Sequence, residues 1–324
     1  MDTPKSWHGS DVCAIRILAA MRQAPPEHVL IVADIEGSSG CWNYRAASFL
    51  TPEWAHACYH MTLDVNAAAG ALFKSGVKQV TVKDFHRTGY NLIPSLLDQR
   101  LHLLSGYRSG PVPGFGKPPD ASAAIFLGMH AASGTDGFLA HTLTSRIASL
   151  EVNGRPLPEI ELFAASLAPY HIHPLFFSGC PTACRQARLA IPGLHFFPID
   201  KQHGPAAFPK ASWRKALGKA VSFAIADGRT KPYRSMKNLA ARISFRDGPD
   251  MARKLAFRWK LDHSGDTIYI AAANIRELYQ ILIRICYLTP LLEKMIRVGL
   301  PLFNLRGWLG LQWAVKKWVK REKR

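Results

Sequence analysis

The stretch Val29-Leu30-Ile31-Val32-Ala33-Asp34-Ile35-Glu36-Gly37 constrains this chain more than any other. Its apolar, largely β-branched run is too short for a buried helix and reads as a buried strand. Gly37, Ser38, Ser39 and Gly40 end it. In open α/β sheets, ligands sit beyond the carboxyl ends of strands, where Asp34 and Glu36 fall. Side chains alternate along a strand, so the two carboxylates are expected to share a face and aim at one spot. Carboxylates that close repel unless a proton or a cation lies between them. The plainer reading is a strand-end turn with two acids in water.

The segments that follow predict a β-α-β unit. Thr51 is an N-cap candidate with Pro52 at the first helical position. Trp54, Cys58, Met61, Val65, Ala68 and Leu72 then recur at helical spacing, and Gly76 ends the helix. Val77 to Asp84 is the next strand, which makes a parallel sheet the expected core. That strand runs into Asp84-Phe85-His86, and the strand from Ala124 to Met129 runs into His130. Three strand ends thus bring Asp34, Glu36, His86 and His130 to one sheet edge. Each histidine alone is more often structural. Together, oxygen and imidazole donors suit zinc and its neighbours. A carboxylate bridging two ions about 3.5–4 Å apart would make a binuclear hydrolytic site.

Further along, Ile147 to Val152 reads as a strand into the turn Asn153-Gly154. Leu157 to Leu167 reads as a helix with Glu159 in its first turn. Strands are expected from Leu175 and from Leu194 to Ile199, and a helix from Ala211 to Ala226. Residues 229–242 are basic and read as irregular. Beyond them, strands at Ile243–Arg246 and Thr267–Ala271 alternate with helices. The expected organisation is an N-terminal extension at 1–27 and a three-layer α/β domain at 28–230, its mainly parallel sheet flanked by helices. A smaller α+β subdomain at 231–289 and a basic amphipathic tail at 290–324 follow.

Five motifs in order carry a resemblance to the DppA-type zinc-dependent D-aminopeptidase family. Ala33-Asp34-Ile35-Glu36-Gly37 resembles its Asp-x-Glu-Gly opening, and Asp84-Phe85-His86 with Asn91 its Asp-x-His…Asn segment. Leu127-Gly128-Met129-His130-Ala131 resembles its Gly-Tyr-His-Ala segment, and His141-Thr142 its second His-Ser/Thr pair. Asn153-Gly154 with Glu159 resembles its Asn-x-x-x-Gly-Glu segment. The match is collinear over roughly residues 28–289. The resemblance implies two zinc ions per chain, with Asp34 bridging them. Glu36 and His86 would complete one site, and His130 and Glu159 the other. His141 would be a catalytic histidine near the metals. A short peptide substrate, plausibly with an N-terminal D-residue, and a closed ring-like homo-oligomer are implied as well. Glu159 and His141 rest on the resemblance alone. Arg87, Pro158 and Cys180 depart from the family pattern and bear on the substrate-facing walls. The readings left open are an amidase acting on a non-peptide or cyclic amide, and a basic binding protein that keeps a structural metal site.

The net charge of +18 points to an anionic partner. Residues 290–324 carry nine Lys/Arg against two Asp/Glu, so the tail alone supplies +7. After Gly307, Trp308, Leu311, Val315 and Trp318 recur at helical spacing. Such a basic helix with tryptophans suits peripheral contact with an anionic membrane through residues 303–324, or packing on a neighbouring subunit. Nucleic acid is the least favoured partner, because no reading motif accompanies the charge. His171, His173 and the Lys201-Gln202-His203 loop are read as surface groups, with a substrate contact at Lys201–His203 the minor alternative. The six cysteines form no disulfide or zinc-site pattern and read as reduced thiols, which suits a cytoplasmic protein. Arg16 interrupts the short apolar patch near the N-terminus, so no signal peptide is expected. No run reaches the length of a membrane span.

Overall fold

The computed structural model describes residues 24–228, 232–234 and 236–319. Most of the expected N-terminal extension lies outside these residues, as do Lys320, Arg321, Lys323 and Arg324 at the end of the basic tail.

The organising strand, β1 (His28–Ala33), is buried along nearly its whole length. Val29, Ile31 and Ala33 pack into one hydrophobic layer, and Leu30 and Val32 into the other. Burial on both faces is what a continuous β-branched run demands, and it is met only inside a helix-covered parallel sheet. Around β1 lie β2 (Gln79–Asp84), β3 (Leu101–Leu104), β4 (Ala123–Met129), β7 (His173–Gly179) and β8 (His195–Pro198). The order is β3-β2-β1-β4-β7-β8, and every pair is parallel. The connections run outward on both sides of β1, so the topological switch lies at this strand.

Helix α1 (Pro52–Lys74) covers one face. Thr51 caps it by accepting from Trp54 N at 3.0 Å. All six residues of the expected stripe, from Trp54 to Leu72, are buried. Helix α4 (Lys210–Asp227) packs beside it through Trp213, Leu217 and Val221. On the other face lie α2 (Glu159–Leu167) and α3 (Pro181–Ala190).

A second, antiparallel sheet backs α2 and adds to the layer on that side. It contains β5 (Ile147–Val152), β6 (Arg155–Pro156), β9 (Lys237–Phe245), β10 (Asp262–Ser264) and β11 (Thr267–Asn274), in the order β10-β11-β9-β5-β6. Strand β9 therefore starts well before the expected Ile243. Leu239, Ala241, Ile243 and Phe245 alternate inward with exposed Asn238, Ala240 and Arg242. That period of two is masked in the sequence by the strand's lysine, asparagine and arginine. Because β5 pairs with β9, this sheet takes strands from both sides of residue 230. Helices α5 (Pro249–Trp259) and α6 (Ile275–Tyr287) complete the unit.

The tail forms α7 (Pro290–Lys294) and α8 (Ile296–Ala314), which continues into a π-helical turn at Val315–Val319. Helix α8 begins earlier than expected and runs through Pro301. Leu311 is buried while Trp308 is 47 % exposed, so the expected Trp308/Leu311/Val315 stripe straddles the packed face and the open one.

Candidate metal centre

The site forms where β2, β1 and β4 end side by side. Ala33 pairs with both Asp84 and Leu127, so the residues just beyond these strands meet. Strand β1 stops at Ala33, one residue before Asp34. Asp34 and Glu36 therefore converge through a turn and not through strand alternation. Asp34 N donates to Leu127 O at 2.8 Å, Gly37 N to Gly128 O at 2.7 Å, and Ser38 N to Ile35 O at 3.0 Å. The turn is possible because Gly37 and Gly128 lie backbone to backbone. A β-carbon at Gly37 would meet Met129 O at 2.2 Å.

Asp34 Oδ1 lies 3.1 Å from His86 Nδ1, and Asp34 Oδ2 lies 3.5 Å from His130 Nε2. Glu36 Oε2 lies 2.9 Å from the same His86 nitrogen. Its orientation is wrong for a hydrogen bond, which leaves that buried oxygen without one. His130 Nε2 stands 3.6 Å from Glu159 Oε1. His141 stacks on His130 with ring centroids 3.8 Å apart and points Nε2 at Glu36 Oε1, 3.9 Å away. Glu159 opens α2 and accepts from Leu143 N at 2.6 Å. All six sequence-expected residues thus gather at one place. Asp34, Glu36, His86 and His130 are no more than 6 % exposed, and Glu159 is 9 % exposed.

Each imidazole is held from behind. His86 Nε2 donates to Ala47 O at 2.9 Å, His130 Nδ1 to Ala131 O at 3.1 Å, and His141 Nδ1 to Leu139 O at 2.8 Å. A carbonyl only accepts, so those nitrogens carry the proton. The inward Nε2 atoms of His130 and His141 are left to offer lone pairs, while His86 Nδ1 faces the Asp34 and Glu36 carboxylates and would offer its own once a cation replaced its proton. Anchoring one nitrogen on a backbone acceptor is the usual support of a metal-ligating histidine.

Burial and the charge of Glu36 push the Asp34 carboxyl well above its ordinary range. Burial acts upward on Glu36 too, but the adjacent His86 outweighs it and holds this carboxyl well below the usual range. Burial opposes charge on His86, yet Glu36 and Asp34 raise it to about 10. Burial lowers His130, and burial with His130 nearby lowers His141. Burial raises Glu159. The crowded carboxylates of Asp34 and Glu36 thus favour positive charge beside them, at His86 or on a bound cation.

The donors fall into two groups of three, Asp34 with Glu36 and His86, and His130 with His141 and Glu159, each within 4.8 Å of one another. The residues fit a metal on three counts: the orphaned Glu36 oxygen, the anchored imidazoles and the hard, nitrogen-and-oxygen donor set.

Three supports surround the site: Asp84 and Asn91 enter the sequence reading only as parts of a motif, Lys201 reads there as a surface group and instead packs inward, and Asp64 with Arg214 is not named at all. Asn91 Nδ2 donates to Asp84 Oδ1 at 2.8 Å and to His86 O at 2.7 Å, while Asn91 Oδ1 accepts from Trp54 Nε1 at 2.8 Å. Asp64 accepts from Ser39 N and Ser39 Oγ, and from Arg214 Nε, each at 2.7 Å. Lys201 Nζ donates to Ser38 O and to Cys41 O, over the face of Trp42, so it ties down the loop after Glu36. The Asp64–Arg214 and Lys201 contacts are set by the fold and have no local sequence signal. Arg87 Nε shares Ala47 O with His86, at 2.6 Å. Pro158 precedes Glu159 at the N-cap of α2, and Cys180 does the same for α3. His171 is exposed and His173 half-buried, away from the cluster. The five described cysteines are free.

Fold and site together define an α/β protein with a two-part, metal-competent centre at the switch point of its parallel sheet. The family model described as D-aminopeptidase matches residues 28–283, and the chain belongs to that family. A curated D-aminopeptidase of Bacillus subtilis (strain 168) is 28% identical over 165 residues, covering 50% of this chain and 59% of that protein. The aligned part thus spans less than two thirds of that relative. In fold, the chain is similar to the solved zinc-dependent D-aminopeptidase DppA of Bacillus subtilis, described as a self-compartmentalizing protease. The TM-score is 0.71 at 23% identity, covering 80% of this chain and 96% of that one. The tail helices α7 and α8 lie beyond the family match.

Proposed function

We propose that the chain is a binuclear zinc aminopeptidase that hydrolyses short peptides and releases an N-terminal D-amino acid. One observation carries this reading: two groups of three donors, four of the six from the ends of adjoining strands, meet at one place in the fold. Membership of the D-aminopeptidase family supports the substrate class, and the likeness to a zinc-dependent relative supports the metal. That relative is described as self-compartmentalizing, so a closed homo-oligomer belongs to the same proposal.

Asp34, placed between His86 and His130, is assigned as the bridging ligand. Glu36 and His86 are assigned to one ion, and His130 and Glu159 to the other. Bound there, zinc supplies Lewis acidity toward a carbonyl oxygen and a water of lowered pKa. The Leu139 carbonyl fixes the His141 proton on Nδ1, which leaves Nε2 as the base. Burial, and then the neighbouring His130, lower its pKa and favour the neutral ring. In the proposed reaction Nε2 accepts a proton during attack and returns it to the departing amine. Stacking on His130 sets its plane. The hydrogen bond from Leu143 N fixes the direction of the Glu159 carboxylate.

The test is hydrolysis of D- and L-alanyl amides by protein as purified, after chelation, and after zinc is restored. The reading predicts D-selective turnover that chelation abolishes and zinc returns. Turnover that survives complete metal removal, or that favours the L-amide, would contradict it.

A further inference from the structure

We propose that the outer face of α8 docks on the surface of an anionic lipid bilayer. The inner face fixes which residues point outward. Gly307 and Gly310 seat the helix on the loops beside the metal centre. A β-carbon at Gly307 would meet Tyr90 at 2.6 Å and Thr88 at 2.8 Å, and one at Gly310 would meet Phe49 at 2.1 Å. Asn304 sets the register, accepting from Tyr107 N at 2.9 Å and donating to Tyr107 O at 2.8 Å. Leu311 and Ala314 are buried beneath the same face.

Opposite them runs an apolar stripe. Met295, Val298, Leu302, Leu305 and Leu309 succeed one another at spacings of three and four, and each is about half exposed or more. Trp308 flanks the stripe, and Trp313 extends it. A contiguous exposed apolar face of this kind marks an interaction site. It is not a membrane span: among the described residues, no helix is long and apolar enough to cross.

Charge selects the occupant. From Lys294 to Val319 there is no Asp or Glu, while Lys294, Arg297, Arg306, Lys316 and Lys317 are all exposed along the same segment. Lys320, Arg321, Lys323 and Arg324 follow in sequence against Glu322 alone. A second copy of the helix would bring like charges together, with no acidic residue between Lys294 and Val319 to neutralise them. Nucleic acid would match the charge and leave the leucines in water. An anionic bilayer surface satisfies both features, because leucines and tryptophans enter the interface while the basic residues meet acidic headgroups. Gly307 lies on Thr88, two residues after His86, so it is the inner face of the helix that rests on the loop leaving the metal centre, with the docking stripe turned away from it.

Vesicle flotation of the full chain at low salt tests this. Phosphatidylcholine vesicles with and without phosphatidylglycerol are compared, for the natural chain and for Leu302→Asp/Leu309→Asp. Both substitutions lie on the exposed face, and the circular dichroism and melting of the variant confirm its fold. The natural chain is expected to float with the phosphatidylglycerol vesicles only, and the double variant to lose at least about tenfold in partitioning. Tryptophan emission should shift to the blue on binding. Flotation with neither vesicle, or equal flotation of the folded variant, would overturn the proposal. So would sedimentation showing that the variant dissociates an oligomer whose natural form ignores vesicles, since a second copy would then cover the face. Binding of an oligonucleotide, but of no vesicle, would overturn it in favour of nucleic acid.

Discussion

Gly128 lies against the backbone of Asp34: a β-carbon on Gly128 would stand 2.1 Å from the Asp34 carbonyl oxygen. With φ at +72°, Gly128 also occupies the left-handed region. These two facts bring the ends of β1 and β4 close enough for Asp34 to face His130. Gly128→Ala should therefore cost on the order of 3 kcal/mol or more, from backbone strain and from the forced separation of the strands. Thermal unfolding checks the loss, and the variant should also bind less zinc.

Asn91 supports His86 through the backbone oxygen of that histidine and, through Asp84 and Trp54, ties it to β2 and α1. Asn91→Ala would leave the buried Trp54 N–H and one Asp84 oxygen short of a partner. Each such loss costs about 1–3 kcal/mol. The expected outcome is a lower denaturant midpoint together with roughly 10–100-fold weaker zinc affinity, measured by competition with a chromogenic chelator.

His141→Ala separates two roles for this side chain, which is within reach of both groups of donors. As the proposed proton carrier, its loss should leave the metal content unchanged and lower kcat by about 10²–10⁴-fold. Near-normal kcat would exclude the catalytic role. Loss of one ion would show His141 to be a ligand.

What the sequence made legible was whatever repeats at short range. The α1 stripe from Trp54 to Leu72, the buried β1 run and the polar strand ends at His86 and His130 all follow from local periodicity. The convergence of Asp34 and Glu36 was anticipated, but for the wrong reason: a turn held by Gly128 O makes it, and strand alternation does not. Strand β9 was hidden because a half-exposed strand with lysine and arginine outside resembles a loop. The Asp64–Arg214 contact joins residues 150 positions apart, and no spacing rule announces it. The tail's open face was misjudged because the tryptophans drew attention while the glycines at 307 and 310 decide which side packs.

Lys83 gives a pH test independent of the metal ligands. It is 1 % exposed, donates to Asp84 O at 2.7 Å and to Gly106 O at 2.5 Å, and sits over the Phe85 and Tyr107 rings. Burial lowers its pKa from 10.5 to about 8. Between those values the unfolded chain holds a proton that the folded chain has released, so stability rises with pH. The burial penalty is fully present below about 8 and is relieved as pH approaches 10.5. At about 1.4 kcal/mol per unit, the stability of the natural chain relative to Lys83→Met should climb by on the order of 3 kcal/mol across that window. Chemical denaturation at several pH values reads this difference. A flat difference would show that Lys83 is not desolvated.

The two-metal centre is tested most directly by the zinc content of the purified, chelator-washed and zinc-reconstituted chain, by elemental analysis. The geometry of Asp34, Glu36, His86, His130 and Glu159 predicts close to two ions per chain, with both depleted in Asp34→Ala. A natural chain that retains no zinc, or that saturates at one ion, would contradict the account.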